Sequence, residues 1–340
     1  MDTIIKFFII IFLTYINLNA IELVNRTKVM MGTYISISLP KDKLFLSSLA
    51  FERLRQVELS LSSYDEEAEI YKLNHNKKII LSSDTYEALV LSQQYYEITR
   101  QYFDITIGSI TKGLFHFGEI QRIPSKKERL DARVDFNGLH FTKHKAWIDK
   151  GIKIDLGGMG KGFGVDKAVE LLKDNNVSTG VISLSGDIYC LHACDMAIED
   201  PFSSKVLVRF TMSRSNTAIS TSGNYRRYVQ SKEYNHLINP KTRQSQKSFA
   251  SISLLSTKHS NVDLDAYATA ASVMPKDKAL FFLNSMKDIA YLVIDTQKKM
   301  YINKLFNTLV KDLHFVNPLN LHKRVYIKAV PLTFQSSKKL

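Results

Sequence analysis

The sequence predicts an α+β fold built as a single body, with mixed or antiparallel sheets and flanking helices. Three observations support this prediction. The 340 residues are 45% hydrophobic and 23% charged, which is enough apolar material to bury a sizeable core. Strand and helix patterns are mixed without the strict βαβ alternation of a doubly wound sheet. No linker-like stretch divides the chain, and no internal repeat is present.

The N-terminus, MDTIIKFFIIIFLTYINLNA, has the pattern of a secretory signal. One lysine precedes an apolar run from Phe7 to Ile16, which is too short to span a bilayer comfortably. Polar residues follow and end at Ala20, although Leu18 is not the small residue usual before a cleavage site. We therefore expect residues 1–20 to be a signal peptide that exports the protein to the periplasm. The alternatives are an uncleaved tether in the inner membrane and a buried helix.

The first half of the mature chain contains strand and helix patterns in turn. The run TKVMMGTYISISLP has the period of a strand, and Lys43–Leu61 carries apolar residues at helical spacing. The serine-rich stretch SLSSYDEEAEIYKLN is expected to be a turn. Thr85–Tyr102 predicts a second amphipathic helix that leads into YFDITIGSITKGLFHFG. Ser125–Trp147 is basic and irregular, with short strand patterns.

The second half is richer in strand patterns and ends in helices. The expected elements are, in order, a glycine-rich loop with a helix up to Asn175, a strand and turn in VISLSGDIYC, alternating runs over residues 194–259, a helix from Leu264 to Met274 that stops at Pro275, a helix over 277–287 and a strand over 289–294. The remainder is basic and weakly patterned. We therefore expect one domain over residues 21–305 and a C-terminal tail over 306–340.

The stretch DLGGMGKGFGVD, from Asp155 to Asp166, is typical of a loop that binds phosphate. Glycines between a strand and a helix let backbone amides approach an anion at the helix N-terminus. The stretch is not a Walker A loop, because Asp155 and Gly162 stand where that motif needs glycine and a hydroxyl residue. No frame fits the dinucleotide pattern Gly-x-Gly-x-x-Gly either. A turn that serves only chain geometry is the alternative.

Three further features are candidates for chemistry. In VDLDAYATAASVM, Asp265 and Thr269 lie one helical turn apart, so their oxygens can share a hard cation. Asp263 can cap the same helix, and a capping acid beside an ordinary threonine is the alternative. His236, in YNHLINPKTRQ, is a candidate general base or a core histidine. Asp104, in YFDITIG, is a candidate ligand or a helix-terminal acid.

The net charge limits the expected binding partners, and the two cysteines limit the expected metal chemistry. The net charge of +13 favours an anionic partner such as a nucleotide, phosphate or membrane surface. The lysines are scattered and no basic stripe is interleaved with aromatics, so nucleic acid is not expected. Cys190 and Cys194 make a poor zinc site with His192 alone between them. They are expected to pack in the interior or to form a local disulfide.

Nine segments together resemble one family, ApbE. They are MGTYISISL, SSYDEEAEIYKLN, YFDITIGSITKGLFHFG, IDLGGMGKGFGVDKAVELL, ISLSGDIY, AIEDPF, AISTSGNYRRY, YNHLINPKTRQ and VDLDAYATAASVM. Their order and spacing over residues 28–295 are similar to those of the FAD:protein FMN transferases. The resemblance implies a T-fold-related α+β fold and an exported, Mg²⁺-dependent enzyme. Such an enzyme transfers FMN from FAD to a threonine or serine hydroxyl of an acceptor protein and releases AMP.

The resemblance also implies roles for particular residues. The implied contacts with FAD come from Met31, Tyr64, Tyr102, Phe103, Asp104, Asp155, Lys161 and Leu237. The implied ligands of Mg²⁺ are the main-chain carbonyl of Gly158 and the side chains of Asp265 and Thr269. His236 would lie beside the reacting phosphate, and either it or Asp265 would take the hydroxyl proton. The acceptor would be of the kind found in membrane redox complexes or flavocytochromes.

Some positions depart from the family pattern, and two other functions use the same features. Ser185 and Arg243 stand where glycine is usual, and Asn239 stands where aspartate is usual. The segment between Ile188 and Asp200 is short and lacks a tryptophan. One alternative function is a Mg²⁺-dependent FAD pyrophosphatase that yields FMN and AMP. The other is a non-catalytic flavin-binding protein of the periplasm.

Overall fold

The computed structural model describes residues 22–118, 121–203, 205–225, 227–316 and 324–326. The predicted signal peptide, residues 1–20, lies outside the described residues. Within the part of the chain that is described, no helix is both long enough and apolar enough to cross a membrane.

A nine-stranded sheet forms the centre of the molecule, in the order β1-β2-β6-β7-β10-β13-β14-β15-β17. Its strands are β1 (Leu23–Met30), β2 (Thr33–Pro40), β6 (Val181–Leu184), β7 (Asp187–Cys190), β10 (Thr217–Gly223), β13 (Phe249–Ser256), β14 (Ala290–Asp295), β15 (Met300–Ile302) and β17 (Arg324–Tyr326). Neighbouring strands are antiparallel except β15 and β17, which are parallel. The predicted α+β class with antiparallel sheets is confirmed.

Three smaller sheets surround the central one. They are β3-β5-β4, made of Lys78–Ile80, Lys145–Ile148 and Leu139–Phe141; β16-β9-β8, made of Val310–Phe315, Val206–Met212 and Asp195–Glu199; and the pair β11-β12, made of Ile238–Asn239 and Gln244–Ser245. The α-helices of the described chain are α1 (Leu46–Leu61), α2 (Glu69–Asn76), α3 (Ser83–Ile98), α4 (Gly108–Ile110), α5 (Lys126–Asp131), α6 (Gly160–Asp174), α7 (Asn261–Val273), α8 (Lys276–Ser285) and α9 (Lys304–Leu309).

The central sheet is covered on both faces, which explains why every residue of β13 and β14 is buried. Alternate residues of a strand point to opposite faces. Leu254 and Val293 belong to the larger core, which includes the apolar faces of α1, α6 and α7. Leu255 and Leu292 belong to a second core with β8, β9 and α9. The larger core contains the apolar faces of α6 and α7 and so positions the ends of these helices that carry the candidate site.

Two local predictions for the first half were wrong. The run TKVMMGTYISISLP is not one strand, because β1 and β2 form a hairpin in which Met30 pairs with Thr33. Met31 and Gly32 make the turn with φ of 51° and 69°, the left-handed pair that a two-residue hairpin favours. The stretch SLSSYDEEAEIYKLN is not all turn, because α2 starts at Glu69 and buries Ile70 and Leu73.

The second half agrees with the predicted elements and extends them. α7 begins where Ser260 and Asp263 form a capping box, so the predicted capping role of Asp263 is confirmed. Cys190 and Cys194 are joined in a disulfide. Beyond residue 305 the chain continues in α9, and β16 pairs with β9 while β17 pairs with β15. Part of the segment predicted as a tail is therefore folded into the sheets.

Candidate flavin and metal site

The glycine-rich loop lies where α6 and α7 approach most closely. A Cβ at Gly162 would collide with the backbone of Asn261 and Val262 at the start of α7. A Cβ at Gly158 would lie 2.9 Å from the Thr269 methyl carbon and 3.3 Å from the Phe103 ring. Glycine is required at both positions for close approach. The loop therefore places its main chain directly against α7.

The three predicted metal ligands share this contact. Thr269 Oγ1 donates a hydrogen bond to the Gly158 carbonyl oxygen at 3.1 Å. Asp265 precedes Thr269 by one helical turn on α7 and is 3% exposed. A carbonyl, a hydroxyl and a carboxylate are hard oxygen donors, which is the ligand type that Mg²⁺ prefers. In the described residues no group of three or more His, Cys, Asp or Glu side chains is placed to hold a metal. The three donors thus fit Mg²⁺ when waters or substrate oxygens fill the remaining coordination positions.

Lys161 is held between two buried carboxylates. Its Nζ lies 2.8 Å from Asp187 Oδ2 and 3.2 Å from Asp265 Oδ2. The Gly162 amide also donates to Asp265 Oδ2, at 3.2 Å, and Ser220 Oγ donates to Asp187 Oδ1 at 2.5 Å. Burial opposes the charge on Lys161, but the two carboxylates raise its pKa above the ordinary value. The lysine is therefore fully charged and already paired.

Asp187 was not predicted from the sequence, although it joins the site. Burial and the nearby charge of Asp265 raise the pKa of Asp187 to about 6, while Lys161 lowers it. Its Oδ2 is sealed from solvent and has no hydrogen bond to the described residues besides the Lys161 ion pair. The sequence signal for Asp187 is the turn LSGD, in which an acid directly follows the glycine. A buried acid directly after a turn would have been the clue.

Asp155, at the start of the loop, is held by its neighbours. Its Oδ2 accepts a hydrogen bond from Thr111 Oγ1 at 2.6 Å, and its Oδ1 accepts one from the Gly157 amide at 2.9 Å. Burial would raise its pKa, but the charge of Lys112 and these hydrogen bonds hold the pKa below the ordinary value. Asp155 is thus a fixed negative charge beside the loop.

His236 lies within the electrostatic reach of the same loop. Its Nδ1 is 3.0 Å from the Arg227 carbonyl oxygen. Burial and the positive charges of Arg227 and Lys161 lower the pKa of His236 to about 4, against a smaller opposing effect of Asp155. A carbonyl only accepts hydrogen bonds, so Nδ1 carries the proton of the neutral ring and Nε2 is the proton acceptor.

These features agree with the comparison to known proteins. The family model described as the ApbE family matches residues 31–293. The chain belongs to the ApbE family. It is 28% identical over 268 residues to the FAD:protein FMN transferase of Haemophilus influenzae, which covers 72% of this chain and 76% of that protein. It is 26% identical over 280 residues to the protein of the same name from Escherichia coli K12, with 73% and 78% covered.

The fold is also similar to solved structures of the family. The ApbE protein from Thermotoga maritima superposes with a TM-score of 0.78 at 22% identity, covering 86% of this chain and 100% of that one. The flavin transferase ApbE from Vibrio cholerae superposes with a TM-score of 0.74 at 21% identity, covering 85% and 99%. The nine motifs therefore identified the ApbE family correctly.

Of the remaining residues predicted to contact FAD, Phe103 borders the glycine-rich loop, and the others contact different neighbours. Phe103 is buried, packs edge-to-face on Tyr95 and borders Gly158. Tyr102 faces the Lys241 ammonium, 4.6 Å from the ring centre. Asp104 turns its carboxylate onto Thr106, accepting from the amide at 2.8 Å and from the hydroxyl at 2.6 Å. Burial raises the pKa of Asp104.

Three more predicted contacts frame the site. Met31 sits in the β1–β2 turn, where its amide donates to Glu58 Oε1 at 2.7 Å and its sulfur borders Gly164 of α6. Tyr64 is 41% exposed and packs against Lys112. Leu237 is buried next to His236. Met31 thus borders α6 rather than the loop, and Tyr64 contacts Lys112, the neighbour of the Thr111 that binds Asp155.

Asp166, at the far end of the loop stretch, serves the fold. Its two carboxylate oxygens accept hydrogen bonds from the amides of Asn261 and Val262, at 2.9 and 2.8 Å. These are amides of the first turn of α7, which lack partners within the helix. Asp166 therefore joins α6 to α7 and holds the helix that carries Asp265 and Thr269.

Two of the three substituted positions, Ser185 and Arg243, keep an unusual backbone conformation. Ser185 and Arg243, which stand where glycine is usual, have φ of 59° and 58°, the region that favours glycine. Asn239 Oδ1 accepts from the amides of Lys241 and Thr242, and its Nδ2 donates to the Val273 carbonyl. Its described hydrogen bonds do not involve His236, so the substitution supports the turn after β11.

Proposed function

We propose that this protein is an FAD:protein FMN transferase that moves FMN from FAD to a threonine or serine hydroxyl of an acceptor protein and releases AMP. The observation that carries the proposal is the contact between the Gly158 carbonyl and Thr269, one helical turn from Asp265. It places three hard oxygen donors beside a glycine-rich loop. Family membership supports the same activity.

The chain's own residues bind and orient the diphosphate of FAD. The N-terminus of α6 follows directly from the loop, so the helix dipole favours a phosphate there. Tyr102 is half-buried and offers part of its ring to the ring systems of FAD, while the buried Phe103 packs against Gly158 and supports the loop. Mg²⁺, held by Gly158, Asp265 and Thr269, would supply neutralisation of charge on the diphosphate.

His236 is suited to accept the proton of the acceptor hydroxyl. The hydroxyl oxygen forms a bond to the phosphorus of the FMN half, and the bond from that phosphorus to the AMP oxygen breaks. The hydroxyl proton passes to Nε2 of His236, because Nδ1 already donates to the Arg227 carbonyl. The low pKa of His236 keeps the ring neutral and able to accept at neutral pH.

The setting of the enzyme follows from its N-terminus and its charge. Residues 1–20 act as a signal that exports the chain to the periplasm, cleaved or retained as an inner-membrane tether. The acceptor is a protein of that compartment, of the type found in membrane redox complexes or flavocytochromes. Nucleic acid is not a partner, because the chain has no basic stripe interleaved with aromatics.

Mass spectrometry of a candidate acceptor after incubation with FAD and Mg²⁺ tests the proposal. We expect the mass of one FMN on the acceptor and release of AMP, with both lost in Asp265→Ala. The matched control is Asp288→Ala, which removes an exposed carboxylate paired with Lys258. FMN and AMP without labelled acceptor would indicate a pyrophosphatase. Intact FAD after long incubation would indicate a flavin-binding protein.

A further inference from the structure

Lys112 is a buried lysine that none of the roles above uses. It lies in a single π-helical turn, Thr111–Phe115, and is only 6% exposed. Such turns are rare and occur frequently at functional sites. Its neighbour Thr111 binds Asp155. Lys112 therefore follows directly after the residue that binds the first residue of the glycine-rich loop.

The ammonium of Lys112 has no acceptor among the described residues. Its Nζ lies 3.1 Å from the centre of the Tyr64 ring, and it makes no hydrogen bond or ion pair with another described residue. Sealed polar side-chain atoms without a hydrogen bond are confined, in the described chain, to Asp187, Ser251 and Asn261. Lys112 Nζ is not among these sealed atoms. It is therefore in contact with solvent at one side, and its N–H donors are available. A ligand oxygen can take the place of water at these donors, and a hydrogen bond from a charged group is stronger than a neutral one.

Tyr64 holds this ammonium in a defined place. The Tyr64 hydroxyl donates to the Phe117 carbonyl at 2.8 Å. Gly118 lies against the same ring, where a Cβ would be 3.0 Å from it. With its hydroxyl anchored and one edge packed, the ring presents a fixed face to Lys112. The position of the charge is therefore set before a ligand arrives.

Lys112 stabilises the charge of Asp155 at a distance, but it forms no ion pair with a described carboxylate and can still bind an anion. Lys161 is already offset by Asp187 and Asp265. Asp155 is near Lys112, but its oxygens are taken by Thr111 and Gly157 and it forms no ion pair with the lysine. A lysine acts as a compact point charge and is a common phosphate ligand. The loop beside it is the part of the site suited to phosphate.

We propose that Lys112, held on the Tyr64 ring, is a further binding residue that donates to an anionic oxygen of the FAD diphosphate. The proposal rests on the proposed function and adds a residue to it. Lys112 supplies the positive charge that Lys161, paired with two carboxylates, does not supply. It also offsets the repulsion between Asp155 and the diphosphate.

Binding of three probes to the full chain tests the proposal: FAD, ADP and riboflavin. Lys112→Gln removes the charge, and we expect the Kd values of FAD and ADP both to rise about tenfold, a typical loss for a hydrogen bond to a charged group. The Kd of riboflavin, which has no phosphate, should not change. Lys112→Arg should retain most of the affinity. Lys150→Gln, at an exposed lysine, is the matched control and should behave as wild type.

Two outcomes overturn the proposal. Unchanged Kd values for FAD and ADP would show that Lys112 does not bind the diphosphate. An equal loss for FAD and riboflavin would place the contact on the flavin ring. If Lys112→Gln does not fold, judged by thermal melting, Lys112→Met keeps the buried stem and serves instead. Failure of wild type to bind FAD would overturn the proposed function itself.

Discussion

At the scale of single residues, Lys161 balances two carboxylates, and this balance sets how strongly the site attracts a cation. We expect Asp187→Asn to weaken Mg²⁺ binding about tenfold, since Lys161 is then left to pair with Asp265 alone. Removing one negative charge also lowers the attraction for any cation. The measurement is a Mg²⁺ titration of FAD binding.

The control for this prediction is Ser220→Ala, which removes the hydrogen bond to Asp187 Oδ1 and keeps the charge. It should alter Mg²⁺ affinity far less than Asp187→Asn. Equal effects of both variants would mean that Asp187 acts through packing and not through its charge.

His236 gives a prediction about pH. Burial, with the charges of Arg227 and Lys161, lowers its pKa to about 4, below its ordinary value near 6.5. The ring of the free enzyme should thus stay neutral from pH 8 down to about pH 5. Acid should favour the unfolded chain below about pH 6.5, because the unfolded ring takes a proton there and the folded ring does not.

Two-dimensional NMR of the histidine rings measures this directly, with His236→Gln to assign the signal. His144 is an exposed histidine and provides an internal reference. Titration of His236 near pH 6.5 would contradict the prediction and would remove the reason for a neutral base at physiological pH.

At the scale of elements, the turn between β6 and β7 is strained because Ser185, a residue with a side chain, has a left-handed backbone conformation. Leu184 pairs with Asp187, so Ser185 and Gly186 form a two-residue loop with φ of 59° at Ser185. Non-glycine residues pay about 1–2 kcal/mol in this region. We expect Ser185→Gly to raise the free energy of unfolding by about 0.5–1 kcal/mol, after the added flexibility of the unfolded chain is subtracted. Urea unfolding measures it.

Arg243→Gly is the comparison for this prediction. Arg243 has a similar φ, but its side chain donates to the carbonyls of Leu130 and Pro240. Replacing Arg243 by glycine relieves strain but also removes these hydrogen bonds. The free energy of unfolding should therefore rise less than in Ser185→Gly. A loss of stability in Ser185→Gly would show that the turn does not have the conformation described.

Local sequence pattern was sufficient to predict the elements that have a clear hydrophobic period and a residue that ends them. α7 and α8 were predicted closely, because a proline separates them and α7 has its own capping residues. The β1–β2 hairpin was missed, because the apolar run Val29–Met31 leads directly into the alternating stretch TYISISLP with Gly32 as the one turn residue between them. α2 was missed because Ser62, Ser63 and three acids precede it and favour a turn in isolation.

The candidate site was predictable to the extent that its residues stand in motifs. The prediction that Asp265 and Thr269 share a helix face needed only helical spacing. The partners of Lys161 could not be obtained in this way, because Asp187 is on a strand and Asp265 is on a helix 78 positions later. Only the packing of α6 against both elements brings them to one ammonium.

At the scale of the whole molecule, long-range strand pairing places β16 and β17, the last two strands of the described chain. β16 pairs with β9 across about a hundred residues, with Val310 opposite Met212. β17 is a parallel partner of β15 at the edge of the central sheet. Neither pairing leaves a local sequence signal, and the basic composition of residues 306–340 concealed both. The second core depends on this segment, because Leu309 and Val310 belong to it.

The disulfide connects the two sheets that enclose the second core. Cys190 ends β7 in the central sheet, and Cys194 precedes β8 in the β16-β9-β8 sheet; both side chains are buried in that core. A loop of this length constrains the unfolded chain by about 2 kcal/mol. We expect a reductant such as TCEP to lower the free energy of unfolding by about that amount and the melting temperature by a few degrees.

The double variant Cys190→Ala/Cys194→Ala separates the bond from its surroundings. It should melt below the oxidised wild type and should not respond to TCEP, because these are the only cysteines in the chain. FAD binding should be retained in both reduced and double-variant protein, since none of the predicted FAD and metal residues belongs to the second core. A wild-type melting curve that TCEP leaves unchanged would mean that the bridge does not form in the folded protein. The stabilisation of the second core would then come from packing alone.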